Sequence, residues 1–586
     1  MPAQPSSLLE VLERRTEESP DALQYRYLVK GEVDGPIDTL TRRELLERAR
    51  ALGARLAAEA APGDRVLLLY PPGLGIFVAF FACLHADLIA VPMTPPDPTR
   101  LAQTLPRLLG IVEQSGVTIV LSTSAVVDAA QAFLGDLPAL ASVRWIASDA
   151  APAGAPPAGP RRAPRAPGSI AFLQYTSGSL GTPKGVVVTD ASLLANLEMI
   201  RNGMVMGPGT PGAFWLPHYH DMGFIGGGLE FVYCGAPCTM MSPIAFIQKP
   251  VRWLRAISRF GGVVGGGPCF AYERCVRRVA DADLEGIDLG TWRVAFVGAE
   301  PVRAAVLDRF ARRFERCGFR REFFYPCYGL AEATLFVSGK PMEPAPGVPQ
   351  ELVVSAKALE QNRVERAPAG SEGGTHTLVS SGSPRLEARV EIVTPGGRTR
   401  VRPGEVGEIW TGGPNLAAGY WNDAEKTRAA FGLALDDTGE GPFHATGDLG
   451  FLEGGELFVT GRSKEMLKLS GRNHYPQDLE ETIEAAHPDL RSGGSAAFSV
   501  DPGDEEFLAV VAELAAERIA AEQARPEAAR YADVATAVRT SLLERHGVVP
   551  KEIAFLSPAS LLKTTSGKKA RIETRRRFLS GELERV

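Results

Sequence analysis

Two apolar runs separated by a loop of hydroxyls and glycines constrain this chain more than any other feature. The stretch reads Ser169-Ile-Ala-Phe-Leu-Gln-Tyr-Thr-Ser-Gly-Ser-Leu-Gly-Thr-Pro-Lys-Gly-Val-Val-Val188. One apolar run ends at Tyr175 and another begins at Val186, so both flanks read as buried strands. Between them stand Thr176, Ser177, Ser179 and Thr182, the glycines Gly178, Gly181 and Gly185, and one cation, Lys184. Glycine lets successive backbone N–H groups turn inward as an anion nest, the hydroxyls add donors, and the ammonium adds charge. A loop built this way can hold a polyphosphate. A glycine-rich hairpin turn is the plainer alternative, although it would need neither the hydroxyls nor the lysine. The GxxxxGK[ST] spacing of a Walker loop is absent.

At 586 residues the chain exceeds what one core can fill, so at least two domains are expected. Residues 41–56 space their apolar side chains as an amphipathic helix. Residues 65–70 form a continuous apolar strand stopped by Pro71, Pro72 and Gly73. A helix through Phe77–Cys83 and a strand at Leu88–Val91 follow, and this alternation predicts a parallel sheet covered on both faces. Residues 151–168, rich in proline, read as an exposed connector. Glu513–Gln523 reads as a helix with a solvated polar face, and Arg575–Arg577 as a solvated run.

Several function classes recede on these grounds. A net charge of −6 offers no broad basic surface, so no nucleic-acid partner is expected. The seven cysteines (Cys83, Cys234, Cys238, Cys269, Cys275, Cys317, Cys327) are odd in number and lack CxxC spacing. They read as reduced core thiols of a cytoplasmic protein. The first ten residues show no signal-peptide pattern, and Ile76–Val91 is short for a membrane span and carries His85 and Asp87. Gly207–Gly212 fits GxGxxG formally, but Pro208 and Pro211 make it a plain loop. His218, His220 and Asp221 invite a metal reading, yet no further ligand cluster of matching spacing exists among the eight histidines.

The order Tyr175-Thr-Ser-Gly-Ser-Leu-Gly-Thr-Pro-Lys-Gly185 resembles the phosphate loop of the adenylate-forming superfamily: acyl-CoA synthetases, peptide-synthetase adenylation domains and luciferases. Residues 241–254, 266–272 (Gly-Gly-Pro-Cys-Phe-Ala-Tyr), 295–301 (Ala-Phe-Val-Gly-Ala-Glu-Pro) and 324–335 are similar to one branch of it, the fatty acyl-AMP ligases. With Tyr475-Pro-Gln-Asp-Leu-Glu480 the resemblance spans the chain from Tyr70 to Arg571. It implies an α/β fold with a large N-terminal domain of layered sheets and helices, residues 1–462. A smaller, mobile α/β cap, residues 463–586, would follow, with its hinge near Lys464. A family insertion is expected at about 339–376, anchored by Val353, Val354 and Leu359.

The resemblance also assigns residues. Thr176, Ser177, Gly178, Ser179, Gly181, Thr182 and Lys184 would hold phosphates. Gly298, Ala299, Glu300, Tyr328, Gly329, Leu330 and Ala331 would line the nucleotide site, with Glu332 holding Mg²⁺. Asp448 would take the ribose hydroxyls, Arg462 a ribose or phosphate oxygen, and His220 would stand as a gate beside the reacting carboxylate. Lys568, after Ser-Gly, would be the catalytic lysine of the cap, with Lys569 an unusual neighbour where an apolar residue is the rule. Val297 and Cys269 stand where the branch has asparagine, departures expected to loosen adenine contacts or reshape the acyl tunnel.

The chemistry implied is attack of a carboxylate on the α-phosphate of ATP, giving acyl-AMP and pyrophosphate. Two anions must meet, so the site must supply positive charge. Lys184 and Mg²⁺ would serve the pyrophosphate, and Lys568 would bridge carboxylate and α-phosphate. In the branch the acyl group passes to the phosphopantetheine thiol of an acyl carrier protein, the insertion hindering coenzyme A. The rivals are an acyl-CoA synthetase using the same adenylate, and a non-catalytic binding module on the same fold. A fatty acid and a carrier protein are thus the expected partners, the protein itself being a monomer or weak dimer.

Overall fold

Four consecutive buried residues in Arg65–Leu69 mark a strand covered on both faces. It lies inside a six-stranded sheet ordered Arg144–Ala147, Ile119–Ser122, Arg65–Leu69, Ile89–Met93, Ile170–Thr176 and Lys184–Thr189. All pairings are parallel except the last, the antiparallel pair that flanks the loop of hydroxyls and glycines. The computed structural model describes residues 5–96, 101–134, 138–150, 165–176, 183–342, 347–368, 374–469, 472–500, 507–523, 525–526, 530–564 and 567–586, without the side chains of 101–103, 132–134 and 138–139.

The second large sheet, nine-stranded among the described residues, has Gly212–Phe214, Val264–Gly266, Val294–Val297 and Phe324–Gly329 as parallel neighbours. The helix Gly75–His85 contributes fully buried Phe77, Phe80 and Phe81 to a core shared by both sheets. Phe80 meets Phe172 of the first sheet at 6.0 Å, and Phe77 stacks on Tyr25 of the second at 4.6 Å. The predicted alternation of strand and helix is therefore realised, with the helix Arg42–Glu59 closed by a capping box at Thr41 and Glu44.

A four-stranded antiparallel sheet, Arg389–Val393, Gly407–Gly412, His444–Glu453 and Glu456–Arg462, completes the large body. The smaller C-terminal body is built on Leu490–Val500, Phe507–Leu514 and Glu552–Leu556, and has its own core on each sheet face. Leu479, Ile483, Val534 and Leu542 fill one face, and Phe498, Leu561 and Phe578 the other. No helix of the described residues is long and apolar enough to cross a membrane. All seven cysteines are free, and Cys327 alone of them is not fully buried.

Three sequence readings need correction. Glu513 and Leu514 end a strand, and the helix starts only at Ala516. Its polar face is not simply solvated, because buried Glu522 pairs with Arg518 at 3.0 Å and Arg525 at 3.2 Å. The connector is not exposed at its end. Residues 151–164 lie outside the described residues, but Arg165 is buried, pairing with Asp190 and Asp87 at 2.7 Å each and donating to the Ile170 carbonyl. Burial pushes the Asp190 carboxyl up to about 6 against the pull of Arg165.

The expected insertion contains an antiparallel hairpin, Glu351–Ser355 with Thr375–Val379. Strand alternation buries Leu352 and Val354 and turns Val353 partly outward, so Leu352 takes the anchoring place expected of Val353. With Leu359 they pack on Val406, Leu449, Phe451 and Phe458 of the four-stranded sheet. Polar contacts reach the C-terminal body: His376 meets Asp478 at 2.9 Å, Glu360 approaches Arg472 at 3.8 Å, and Asn473 donates to the Glu360 carbonyl.

Candidate active site

A cleft of about 3560 Å³ runs between the large and small bodies and takes residues from both. On its first wall Thr176 pairs across the strands with Lys184, so the two bracket the loop. Ser177, Gly178, Ser179, Gly181 and Thr182 lie outside the described residues. Lys184 Nζ stands 4.9 Å over the ring of Tyr420, whose hydroxyl donates to Glu332 Oε1 at 2.9 Å. Burial pushes the Lys184 ammonium below its usual range; Glu332 opposes this, and Lys464 and Lys426 reinforce it. Lys184, Glu332 and Tyr420 thus form one charged corner. Tyr420 is the residue that sequence reasoning missed, although Gly419 at φ +131° just before it signals a chain forced to bend there.

The second wall descends from the strands Val294–Val297 and Phe324–Gly329. Ala299, at φ +69°, Glu300, Tyr328, Gly329, Leu330, Ala331 and Glu332 all line the cleft. Gly329 must be glycine, because a Cβ there would lie 1.8 Å from the Leu335 carbonyl oxygen. Gly298 is buried behind this wall, where a Cβ would meet the Cys327 carbonyl at 2.6 Å. Val297 and Cys269 are fully buried core residues and neither lines the cleft, so they do not touch the site as the sequence reading expected.

Asp448 lies on the strand His444–Glu453 with its two carboxylate oxygens separately engaged. Oδ2 accepts from the Tyr328 hydroxyl at 2.7 Å, and Oδ1 from Arg462 Nε at 2.7 Å. Asp448 holds the Arg462 guanidinium charged above its ordinary range, while burial and Asp448 push the Tyr328 hydroxyl well up. Each carboxylate oxygen keeps a lone pair for a further donor.

His220 lies on the third wall. Its Nδ1 is 2.6 Å from Asp221 Oδ1, and that same oxygen accepts from the Met222 N–H to cap a π-helical stretch, Met222–Leu229. Gly223 and Gly228 permit this turn: a Cβ would lie 2.1 Å from the Pro217 oxygen and 2.2 Å from the Phe77 ring. π-helical turns recur at functional sites. His218 instead faces Phe77 at 5.2 Å, and burial pushes it down to about 4, so it is a neutral core histidine. No cluster of three or more His, Cys, Asp or Glu fit for a metal exists among the described residues.

Lys568 enters from the small body. Its loop packs on the large one: a Cβ on Gly567, at φ +83°, would sit 3.4 Å from Phe270. Arg462, Asp221, Asp448 and Glu300 line the cleft with it, and burial followed by Arg462 pushes its ammonium below the usual range. Asp221 also feels this lysine: although burial raises it, His220 and Lys568 hold its carboxyl below the ordinary range. Lys569 turns the other way, to Glu480 at 2.9 Å and Glu484 at 2.8 Å inside the small body. The neighbouring lysines therefore have separate surroundings, one in the cleft and one in a buried ion cluster with Arg571.

One cleft thus brings Thr176 and Lys184, Asp448 with lone pairs to spare, and Lys568 from a second body together, and similarity to known proteins places such a chain among the adenylate-forming ligases. Residues 12–421 match the AMP-binding enzyme family, and residues 464–586 match the AMP domain of Disco-interacting protein 2-like proteins. The chain is 39% identical over 99% of its length, and 96% of the relative's, to the medium-chain-fatty-acid–[acyl-carrier-protein] ligase JamA of Moorena producens. It is 34% identical, over 99% and 93% of the two lengths, to the 4-hydroxyphenylalkanoate adenylyltransferase of Mycobacterium tuberculosis. A fatty acyl-adenylate ligase of Legionella pneumophila, solved with acyl adenylate and pyrophosphate, superposes with TM-score 0.74 at 36% identity, covering 98% and 96% of the chains. The protein belongs to the AMP-binding enzyme family and, within it, to the fatty acyl-AMP ligase branch.

Proposed function

We propose that the protein activates a medium- or long-chain fatty acid with ATP to acyl-AMP and passes the acyl group to the phosphopantetheine thiol of an acyl carrier protein. The observation that carries this reading is that Lys568 of the small body lines the same cleft as Asp221 and Asp448 of the large one. A lysine placed there faces both the ribose aspartate and the His220–Asp221 pair, between which the carboxylate and α-phosphate must meet. The nucleophile is already ionised and needs no general base. Each residue's work is then positional and electrostatic.

Asp448 would accept both ribose hydroxyls on its remaining lone pairs, with Arg462 holding it in place. Ala299, Glu300 and Tyr328–Ala331 would border the nucleotide, with Gly298 supporting them from behind. Thr176, Lys184 and the loop 177–182 would bind the β- and γ-phosphates. Glu332 offers a hard oxygen donor, and Mg²⁺ takes most of its remaining ligands from phosphate and water. Glu332 would hold the ion, which supplies charge neutralisation for the departing pyrophosphate. His220, fixed by Asp221, would stand between nucleotide and acyl chain.

The alkyl chain would lie against apolar residues that line the cleft, such as Met204, Met206, Met222, Phe296 and Leu335. Each buried CH₂ contributes roughly 0.8 kcal/mol, so long tails bind tightly while neighbouring lengths differ little. We place the domain boundary at 462/463 with Lys464 as hinge; the turn Ser463–Glu465 lies between the last large-body strand and the small body's first.

Incubation with ATP, Mg²⁺ and radiolabelled dodecanoate tests the reading. Acyl-AMP should accumulate, and a phosphopantetheinylated carrier protein should become acylated while coenzyme A stays unacylated. Ready formation of acyl-CoA would move the protein to the acyl-CoA synthetases. Absence of acyl-AMP would leave a non-catalytic binding protein.

A further inference from the structure

The protein is acidic overall, yet one edge of the cleft is strongly basic. The helix Cys269–Arg278 carries Phe270, Arg274 and Arg278 at four-residue spacing, so they share a face. Phe270 faces the Lys568 loop, so near that a Cβ on Gly567 would lie 3.4 Å from its ring. Arg274 and Arg278 therefore stand about 6 and 12 Å further out along the helix axis. Neither has a carboxylate partner among the described residues; Arg274 donates through Nε to the Ile247 carbonyl at 2.8 Å.

From the small body, Arg491 and Lys563 join the same edge, and all four cations line the cleft. Burial pushes the Arg274 guanidinium down, and Arg278 and Arg491 beside it add to this, as like charges do. The nearby carboxylates are already committed. Glu273 is shared by Arg277 at 2.8 Å, Arg309 at 2.9 Å and Arg303 at 3.9 Å. Glu513, 3.4 Å from Arg491, also accepts the Leu561 N–H. Arg274 and Arg278, set beside Arg491 at the domain boundary and without a carboxylate of their own among the described residues, cost stability, and an arriving anion would relieve them.

Resting on the carrier-protein reading above, we infer that the large-body part of this edge, Arg274 and Arg278, is the docking surface for the acyl carrier protein, its arginines receiving the phosphodiester of the phosphopantetheine arm. Arginine's planar fork suits phosphate oxygens, and the ladder begins where the thiol must arrive, at the Lys568 loop. Because Arg274 and Arg278 belong to the large body, they hold their place at the mouth whichever way the small body turns. Arg277 and Arg278 are exposed at its outer end, so the basic area extends onto open surface. That extent fits a protein partner better than a free nucleotide, and surface charge of this kind speeds association.

The test is charge reversal, Arg274→Glu with Arg278→Glu, in the full-length enzyme, with Arg278→Glu alone as the variant least able to disturb folding. Pyrophosphate release without carrier should stay within about twofold of wild type. The KM for a phosphopantetheinylated, net-negative acyl carrier protein should rise about tenfold or more, and the salt dependence of transfer should flatten. Transfer to free pantetheine, which has the thiol but no phosphate, should not change. An unchanged KM for the carrier in both variants would overturn the inference. So would a rise confined to coenzyme A, which would assign the edge to that nucleotide. Failure of the wild-type enzyme to acylate any carrier would instead sink the carrier reading itself, a result separable from the others.

Discussion

Replacing Lys568 by alanine should abolish most adenylation while leaving ATP binding nearly intact. In the closed arrangement the ammonium is flanked by Asp221, Asp448 and Glu300 but opposed by Arg462, and burial lowers its pKa. The protein's own groups therefore do not especially favour the charge; the favourable contacts come from two further anions, the carboxylate and the α-phosphate. A preorganised donor of this kind contributes to the reacting arrangement more than to ground-state binding. Loss of one such donor costs about 10²–10³ in kcat, or about 2.7–4 kcal/mol. Pyrophosphate release at saturating ATP and dodecanoate reads the rate, and calorimetry reads the ATP Kd, expected to stay within about threefold. Lys569→Ala is the matched control. It leaves Glu480, 2% exposed, with Arg571 and the Ala497 N–H as its remaining partners. That should lower the unfolding free energy by about 1–3 kcal/mol with kcat little changed. The reasoning is refuted if Lys568→Ala keeps a third or more of wild-type kcat, or if Lys569→Ala loses as much.

Asp448→Ala strands the Tyr328 hydroxyl and Arg462 and should raise the KM for ATP about tenfold with kcat nearly constant, since ribose is held alike in ground and transition states; unchanged ATP affinity by calorimetry would place the ribose elsewhere. Tyr420→Phe removes the donor that orients Glu332, so half-maximal activity should need about 10–100-fold more Mg²⁺; an unshifted Mg²⁺ titration would dismiss Tyr420 as a support of the metal. His376 is subject to burial, which lowers its pKa, but Asp478 and Glu481 hold it above its usual value. A raised folded pKa means that the pair's contribution is full below the unfolded value of about 6.5 and fades as pH rises through the folded one. Protease sensitivity of the small body should therefore increase with pH in this range for wild type, but not for His376→Gln; parallel profiles would show that the hairpin contact does not restrain it.

The two strands that flank the glycine- and hydroxyl-rich loop and the layered α/β fold were legible because each depends on local chemistry. A strand flanked by glycines and hydroxyls, a Thr-Gly-Asp on a strand and a lysine after Ser-Gly all declare themselves within a few residues. What depended on side chains meeting across the chain was not. Tyr420 lies 88 residues from Glu332, and nothing in its own neighbourhood reveals the partner. Lys569 reads as an anomaly until Glu480 and Glu484 come beneath it. Val297 and Cys269 drew attention as departures from the branch, and their full burial turns them into packing choices. Val353 was a poor anchor for a simple reason: in a strand, adjacent residues face opposite ways, and the partner of Val354 is Leu352.

The buried Arg165 acts as an insulating joint. Its guanidinium is tied to Asp87, just after the helix Gly75–His85, to Asp190, which opens the helix after the second loop strand, and to the Ile170 carbonyl. Both strands that flank the glycine- and hydroxyl-rich loop are thus pinned from outside the loop itself. A length change in the stretch before Arg165 should therefore leave Ile170–Thr176 in place, since Arg165 is held by two ion pairs and the Ile170 carbonyl. For the same reason that stretch is the natural place to insert a tag or a fused domain: an enzyme lengthened there should keep its ATP affinity, whereas one altered at Arg165 should not.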